Sequence, residues 1–451
     1  MEFLYINFGE QFKEGKIMKR KVLFLVLVII CKCFCFAVTP KDMEPMTRVH
    51  YKNEDISGYV YFEGFNFEGY EAESKGIEPM LEKTLELLRF YYGKNGSIGK
   101  NQPFVFVGHS QGGLRALAMS TYLKQKDSQL YKQLKGVITL SGIDKGLKLL
   151  EGQGSVARSA LHSDVITLTN GVRGTLKVLN FKGGEIFTDI LLYELLNVGV
   201  GEGANALVNY ILGDKFEFIY PVLNNANINN YAQIRDMTPQ SNFIKKYVLE
   251  ESTVYKQHKT QKNSHLAVEW RRGWLGIPYP VLVTKYTPKV VKTVQVNMKV
   301  DKNLPLVFIT GTNSNTLSLA NPYEKTIRNG VTAAGNIFRS AEIAHYAKCA
   351  LGIGLLTGSI PAAIDCNKAA NWCGNVDYEL GEIVGEQKHD GLVAYSSQYL
   401  PTKSLVSTGY DTSVLTNVKQ KDYSQYNHIT ISENSDAKKL AEQYVKSFLG
   451  K

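Results

Sequence analysis

Short apolar runs alternate along this chain with longer segments in which apolar residues recur every three or four positions. Tyr59-Val-Tyr-Phe62, Phe104-Val-Phe-Val107, Val137-Ile-Thr-Leu140 and Leu306-Val-Phe-Ile309 have the length and the β-branched or aromatic content of strands. Ile77, Met80, Leu81, Leu85 and Leu88 fall on one helical face, and a second helix is predicted from Gly112 to Lys124. Ala437, Leu440, Ala441, Tyr444, Val445 and Phe448 form the apolar stripe of a closing helix, and a further strand is expected between Ser413 and Val418. Strands separated by helices predict an α/β fold, with a mainly parallel sheet flanked by helices.

The rhythm breaks twice. Between about 150 and 300 lie the apolar stretch IFTDILLYELLNVGV (186–200) and a Tyr/Asn-rich middle, where a cap over the core is expected. A second, smaller insertion at about 316–386 contains CALGIGLLTGSIPAAI (349–364), uncharged but interrupted by Gly and Pro, which reads as a buried or interfacial hairpin rather than a membrane span. At 451 residues the chain exceeds what one core usually spans. The expected division is core over 38–150, cap over 151–300 and core again over 301–451.

Residues 1–37 stand apart. Lys19-Arg-Lys21 precedes VLFLVLVIICKCFCFA, and this basic then apolar segment closing on Ala37 has the form of a secretory signal peptide. Secretion or delivery to a periplasm is expected, with an uncleaved membrane anchor as the alternative. Residues 1–17 show no targeting pattern, so translation is expected to begin at Met18. The first 37 residues hold six basic and three acidic side chains, which reduces the net charge from +10 to +7 in the remainder. No Lys/Arg block accompanies this excess, so nucleic acid is not an expected partner, while weak attraction to anionic lipid surfaces is. Cys349, Cys366 and Cys373 remain, and in an oxidising compartment one disulfide and one free thiol are expected.

The most specific chemical signal is Gly108-His-Ser-Gln-Gly-Gly113, directly after one predicted strand and directly before a helix. A G-x-S-x-G turn there makes Ser110 a nucleophile at a sharp strand-to-helix elbow, and the Gln111 amide can donate to an oxyanion. A serine hydroxyl needs a general base and an orienting carboxylate, in the chain order Ser, acid, His for such a fold. His50 precedes the serine and His109 lies inside the turn. His162, His258 and His265 fall in the expected cap, and His345 and His389 lie in or beside the second insertion. His428, after the last predicted strand and before the closing helix, is left as base. Asp390 opens a Gly-containing turn upstream of it and is the preferred acid; Asp144, after the strand next to the elbow, is the rival, with an Asx turn as its simpler reading.

VFVGHSQGG (105–113), HDGLVAYSS (389–397) and YNHI (426–429) resemble the elbow, acid loop and histidine loop of bacterial triacylglycerol lipases and esterases of the α/β-hydrolase superfamily. Asp236-Met-Thr-Pro-Gln-Ser-Asn-Phe243 is similar to a segment that some of these lipases carry before the acid strand. The resemblance implies an α/β-hydrolase fold and a Ser110–Asp390–His428 triad acting on acyl-ester or lipid substrates, with transient contact at a lipid interface. No organic cofactor or catalytic metal is implied, although calcium braces the histidine loop in some such lipases. The sequence departs from the family in lacking any His-Gly pair for the oxyanion loop. Gly64 or Phe65, after YVYF, is the substitute, although its 46-residue separation from Ser110 fits the family's next strand better. An acyltransferase or thioesterase on the same triad, and a catalytically impaired hydrolase fold that binds lipid or protein, are the alternative functions. GKNGSIGK (93–100) has Lys94 where a phosphate-binding loop needs its first Gly and reads as a plain loop.

Overall fold

The computed structural model describes residues 47–50, 58–64, 76–178, 232–272, 278–320, 324–350 and 359–451, apart from 97, 100, 402, 407–408, 414, 416 and 434. The expected signal segment, the apolar stretch at 186–200 and Phe65 lie outside the described residues.

Six strands form the central sheet: β1 (Thr47–His50), β2 (Tyr59–Phe62), β3 (Phe104–His109), β4 (Leu134–Leu140), β7 (Leu306–Gly311) and β10 (Val418–Tyr423), side by side in that order. β1 runs antiparallel to β2, and the other five are mutually parallel. The chain is therefore α/β with a mainly parallel sheet.

Strand side chains alternate between faces, and both faces are covered. Phe104, Phe106, Val137, Leu306 and Phe308 share one cluster with helices α1 (Glu78–Tyr92) and α2 (Gln111–Lys126). Val105, Val107, Ile138, Leu140, Val307 and Ile309 face the other way, against Ala437, Ala441 and Val445 of the closing helix α9 (Ser435–Leu449). This double burial is why these strands read as unbroken apolar runs. The strand expected at 413–418 lies further on: β10 begins at Val418, and its four middle residues are exposed on the sheet edge.

Between 151 and 300, the described residues form α3 (Ser155–Val178), the short α4 (Ala232–Met237) and α5 (Asn242–Tyr247), and a ribbon of β5 (Leu249–Arg272) with β6 (Pro278–Met298). Near its base the ribbon meets β8 (Lys403–Val406), which pairs with β9 (Gly409–Ser413). The second insertion contributes α6 (Glu324–Ala350), α7 (Ser359–Gly374) and α8 (Val376–Val384). Of the hairpin expected over 349–364, residues 351–358 lie outside the described residues, and its two ends belong to α6 and α7, which pack against each other. Small residues make this possible: Ala369 and Ala370 let α7 pack closely, beside Phe338 and Trp372.

The expected disulfide is absent among the described residues: Cys349, Cys366 and Cys373 are all free thiols. Cys366 and Cys373 sit two turns apart on α7, about 10 Å along the axis, beyond the reach of an S–S bond.

Phe106 is fully buried and meets Phe62 edge-on at 5.1 Å between ring centroids. Phe106→Ala is expected to cost about 3–5 kcal/mol of unfolding free energy. Urea unfolding measures this, and a loss below about 1 kcal/mol would show that the layer collapses to fill the space.

Candidate active site

β3 ends at His109 and α2 begins at Gln111, so the chain reverses at Ser110, with φ +56° and ψ −126°. Such a non-glycine conformation costs about 1–3 kcal/mol and persists only where its surroundings hold it. Here the holding groups are backbone. The Ser110 N–H donates to Leu140 O at 3.1 Å, and Ser110 O accepts from Gly113 N at 3.0 Å and Ile143 N at 3.2 Å. The flanking glycines are required by space. A Cβ on Gly108 would collide with Gly112 O, one on Gly112 with Phe62 O, and one on Gly113 would stand 2.8 Å from Gly142 Cα.

Ser110, His428 and Asp390 come together across 318 residues of sequence. His428 Nε2 lies 2.9 Å from Ser110 Oγ, and His428 Nδ1 lies 2.8 Å from Asp390 Oδ2. A carboxylate oxygen accepts, so Nδ1 donates and Nε2 is left to accept the serine proton. All three are buried, Ser110 retaining 9% exposure.

Asp390 sits in a tight turn closed by the His389–Ala394 bridge, with Gly391 at φ +99°. Its Oδ1 accepts from Leu392 N at 3.1 Å and Val393 N at 2.7 Å, and its backbone O accepts from His428 N at 2.7 Å. The acid turn and the histidine loop are thus joined by main chain as well as by side chains.

Asp144 stands elsewhere. It is completely buried within the loop after β4, where its Oδ2 accepts from Thr139 Oγ1 at 2.9 Å and its Oδ1 has no hydrogen-bond partner. Burial raises its pKa well above the ordinary carboxylate range.

Gly64, two residues past β2, reaches Ser110. A Cβ there would stand 3.2 Å from Ser110 Cβ and 3.3 Å from His109 Nδ1. The separation in sequence that argued for a different strand is accommodated because β2 lies immediately beside β3. Gln111, at the first position of α2, has an amide with no acceptor within the helix. Its side chain turns away and donates to Gln233 Oε1 at 3.2 Å.

The Asp236–Phe243 segment braces rather than reacts. Asp236 Oδ2 accepts from Ile77 N at 2.8 Å, and Ser241 caps α5 through Ile244 N at 3.2 Å.

Sequence reasoning set His109 beside the elbow as a non-catalytic residue and missed three further supporting residues. His109 Nε2 donates to His428 O at 2.8 Å. Asn427 accepts from Ile429 N and Thr430 N while donating to Ser318 O and Oγ, which fixes the histidine loop. Gln398 accepts from Gly311 N and donates to Gly311 O and Val393 O, tying the end of β7 to the acid turn. Arg115, fully buried on α2, donates to Glu63 O at 2.6 Å. A polar side chain in an apolar helix, such as Arg115 in LRALAM, was the only one of these signals visible beforehand.

Among the described residues no three metal-ligating side chains converge. A separate cleft of about 410 Å³, lined by His162, Asn170, Asp365 and Lys368 among others, shares no residue with the Ser110 cluster. Comparison with protein-family models, with curated proteins and with solved structures found no match.

Burial, reinforced by the neighbouring His428 ring, pulls the pKa of His109 down to about 4. The unfolded chain therefore takes up a proton near pH 6.5 that the folded chain refuses, and stability from this group is lost as pH falls from about 6.5 to about 4. The destabilisation caused by His109→Gln is accordingly expected to shrink between about pH 7 and about pH 4.5. Urea midpoints of both proteins measure it; a pH-independent difference would contradict a neutral His109.

Proposed function

We propose that this chain is an exported carboxylic-ester hydrolase of the α/β-hydrolase fold, which cleaves acyl esters through an acyl-enzyme on Ser110. The hydrogen-bonded series Ser110 Oγ, His428 Nε2, His428 Nδ1 and Asp390 Oδ2, with Ser110 at a strained elbow, is the observation that carries this reading.

In the first step Ser110 Oγ attacks the ester carbonyl while its proton passes to His428 Nε2. The carbonyl oxygen becomes an oxyanion, for which the Gln111 amide and main-chain N–H groups at Gly64 or Phe65 are the candidate donors. Collapse breaks the acyl C–O bond, and the departing alkoxide takes the proton from His428. Water then repeats the sequence on the acyl-enzyme, releasing the carboxylic acid and restoring Ser110. Asp390 keeps the imidazole in the required tautomer and offsets its transient positive charge, with its own carboxylate held by two amides.

The contact of Gly64 with Ser110 weakens the case for a catalytically silent fold, which rested on the missing His-Gly pair. The acid-loop and elbow resemblances favour acyl esters of lipid type as substrates, and the basic-then-apolar segment before residue 38 favours export.

A fluorophosphonate probe is expected to label the wild type, with labelling lost in Ser110→Ala and His428→Ala. An unlabelled wild type would sink the hydrolase reading. With a short-chain ester, Asp390→Asn is expected to lower turnover by roughly 10³–10⁴-fold through the wrong imidazole tautomer, and Asp144→Asn by less than about tenfold. The opposite ranking would move the acid to the loop after β4.

A further inference from the structure

The β5–β6 ribbon is far longer than a hairpin needs to be for the core. Its strands of 24 and 21 residues pair from Leu249–Met298 at the base to Arg272–Pro278 at the outer end, on the order of 80 Å in extent. Leu249 is fully buried, whereas the outer residues are not. Among the described residues, the ribbon pairs with another strand only at Thr293, near its base.

The two faces of the outer half differ in chemistry. Directly opposed residues of an antiparallel pair point to the same side, and alternate residues along a strand share that side. The pairs Ser264–Tyr286, Leu266–Thr284, Val268–Leu282 and Trp270–Pro280 therefore form one face. It is apolar, and Leu266, Trp270 and Leu282 each leave about 70% of their surface in the open (73, 69 and 69%). The opposite face carries Glu269 with Lys285 at 3.2 Å and Arg271 at 3.8 Å. A two-stranded ribbon is marginal in water on its own, and a continuous exposed apolar face marks a surface that something covers.

Charge identifies what covers it. Residues 255–290 hold seven Lys or Arg and one acidic residue, Glu269, so this segment concentrates much of the chain's basic excess. A partner of matching chemistry is apolar beneath a negatively charged skin. Trp270 and Tyr286 on the apolar face, with Arg272 on the same side and Arg271 and Lys285 on the opposite one, are residue types that settle at a membrane–water interface. A generic protein groove would favour the apolar face without demanding this charge.

We propose that the outer half of the β5–β6 ribbon docks the protein on an anionic phospholipid surface, with the Leu266, Val268, Trp270, Leu282 and Tyr286 face entering the interfacial region and the basic side chains meeting the headgroups. The docking does not require the hydrolase reading. Where both hold, the ribbon tethers the enzyme beside its lipid substrate.

Flotation of the full chain with vesicles tests this, using phosphatidylcholine alone and phosphatidylcholine mixed with phosphatidylglycerol. The wild type is expected to float with the mixed vesicles, more weakly as salt rises from about 0.1 M to about 0.5 M, and poorly with the neutral ones. Leu266→Ser/Trp270→Ser/Leu282→Ser is expected to lose at least about tenfold in apparent affinity. Arg271→Gln/Arg272→Gln/Lys285→Gln is expected to lose the preference for phosphatidylglycerol. Ser110→Ala is expected to float like the wild type, so failure of docking and failure of catalysis are read separately. A thermal midpoint unchanged from wild type checks folding, and Trp270→Gln, with a smaller loss in the same direction, replaces the triple variant if that check fails. A wild type that ignores mixed vesicles, or an apolar-face variant that floats equally well, would overturn the proposal. So would a lipid-free dimer, seen by light scattering, that the apolar-face substitutions dissolve, since a second copy would then cover the face.

Discussion

Where α2 begins, Gly112 lies against the carbonyl oxygens of Phe62 and Glu63 so closely that no side chain fits between them. This approach fixes the end of β2 to the elbow, and the geometry of the site follows from it. One turn along α2, Arg115 donates to the same Glu63 carbonyl, and its guanidinium sits 5.7 Å from the centre of the Phe62 ring. Burial lowers the Arg115 pKa to about 9, which still leaves it cationic at neutral pH. With β2 gripped in this way, Gly64 is delivered to Ser110, so Ser110 and the end of β2 are held by one packing constraint. These contacts act beside the backbone hydrogen bonds to Leu140, Gly113 and Ile143 that hold Ser110 at positive φ.

What could be read from the sequence follows from how each part is buried. FVFV, VITL and LVFI are covered on both faces by helices, so their apolar runs are continuous and easily seen. β10, VKQKDY, lies on the sheet edge and buries no residue fully, so nothing in its pattern separates it from a loop. The ribbon strands did carry a signal in the alternation Leu266, Val268, Trp270, but its apolar face points away from the core. At the site, Ser110, Asp390 and His428 were legible because chain order and turn chemistry restrict them. Gln398 and Asn427 were not, since an amide side chain that bridges two loops leaves no local trace until both loops have been placed.

The two buried aspartates show why burial alone does not suit a carboxyl group to partner a histidine. Neither Asp390 nor Asp144 has measurable exposure, so each would lose most of its hydration if charged. At Asp390 the loss is offset by two backbone amides on one oxygen and the imidazole on the other, three donors converging on a carboxylate. At Asp144 a single hydroxyl serves one oxygen, and the other has no partner. Burial shifts Asp144 toward its protonated form, in keeping with the upward direction of its pKa, which makes it the poorer partner for an imidazolium. Its place against Gly142 and Gly113 suits a packing role beneath the elbow. The donors to Asp390 come from Leu392 and Val393 of its own tight turn, so local backbone geometry orients the carboxyl group toward His428.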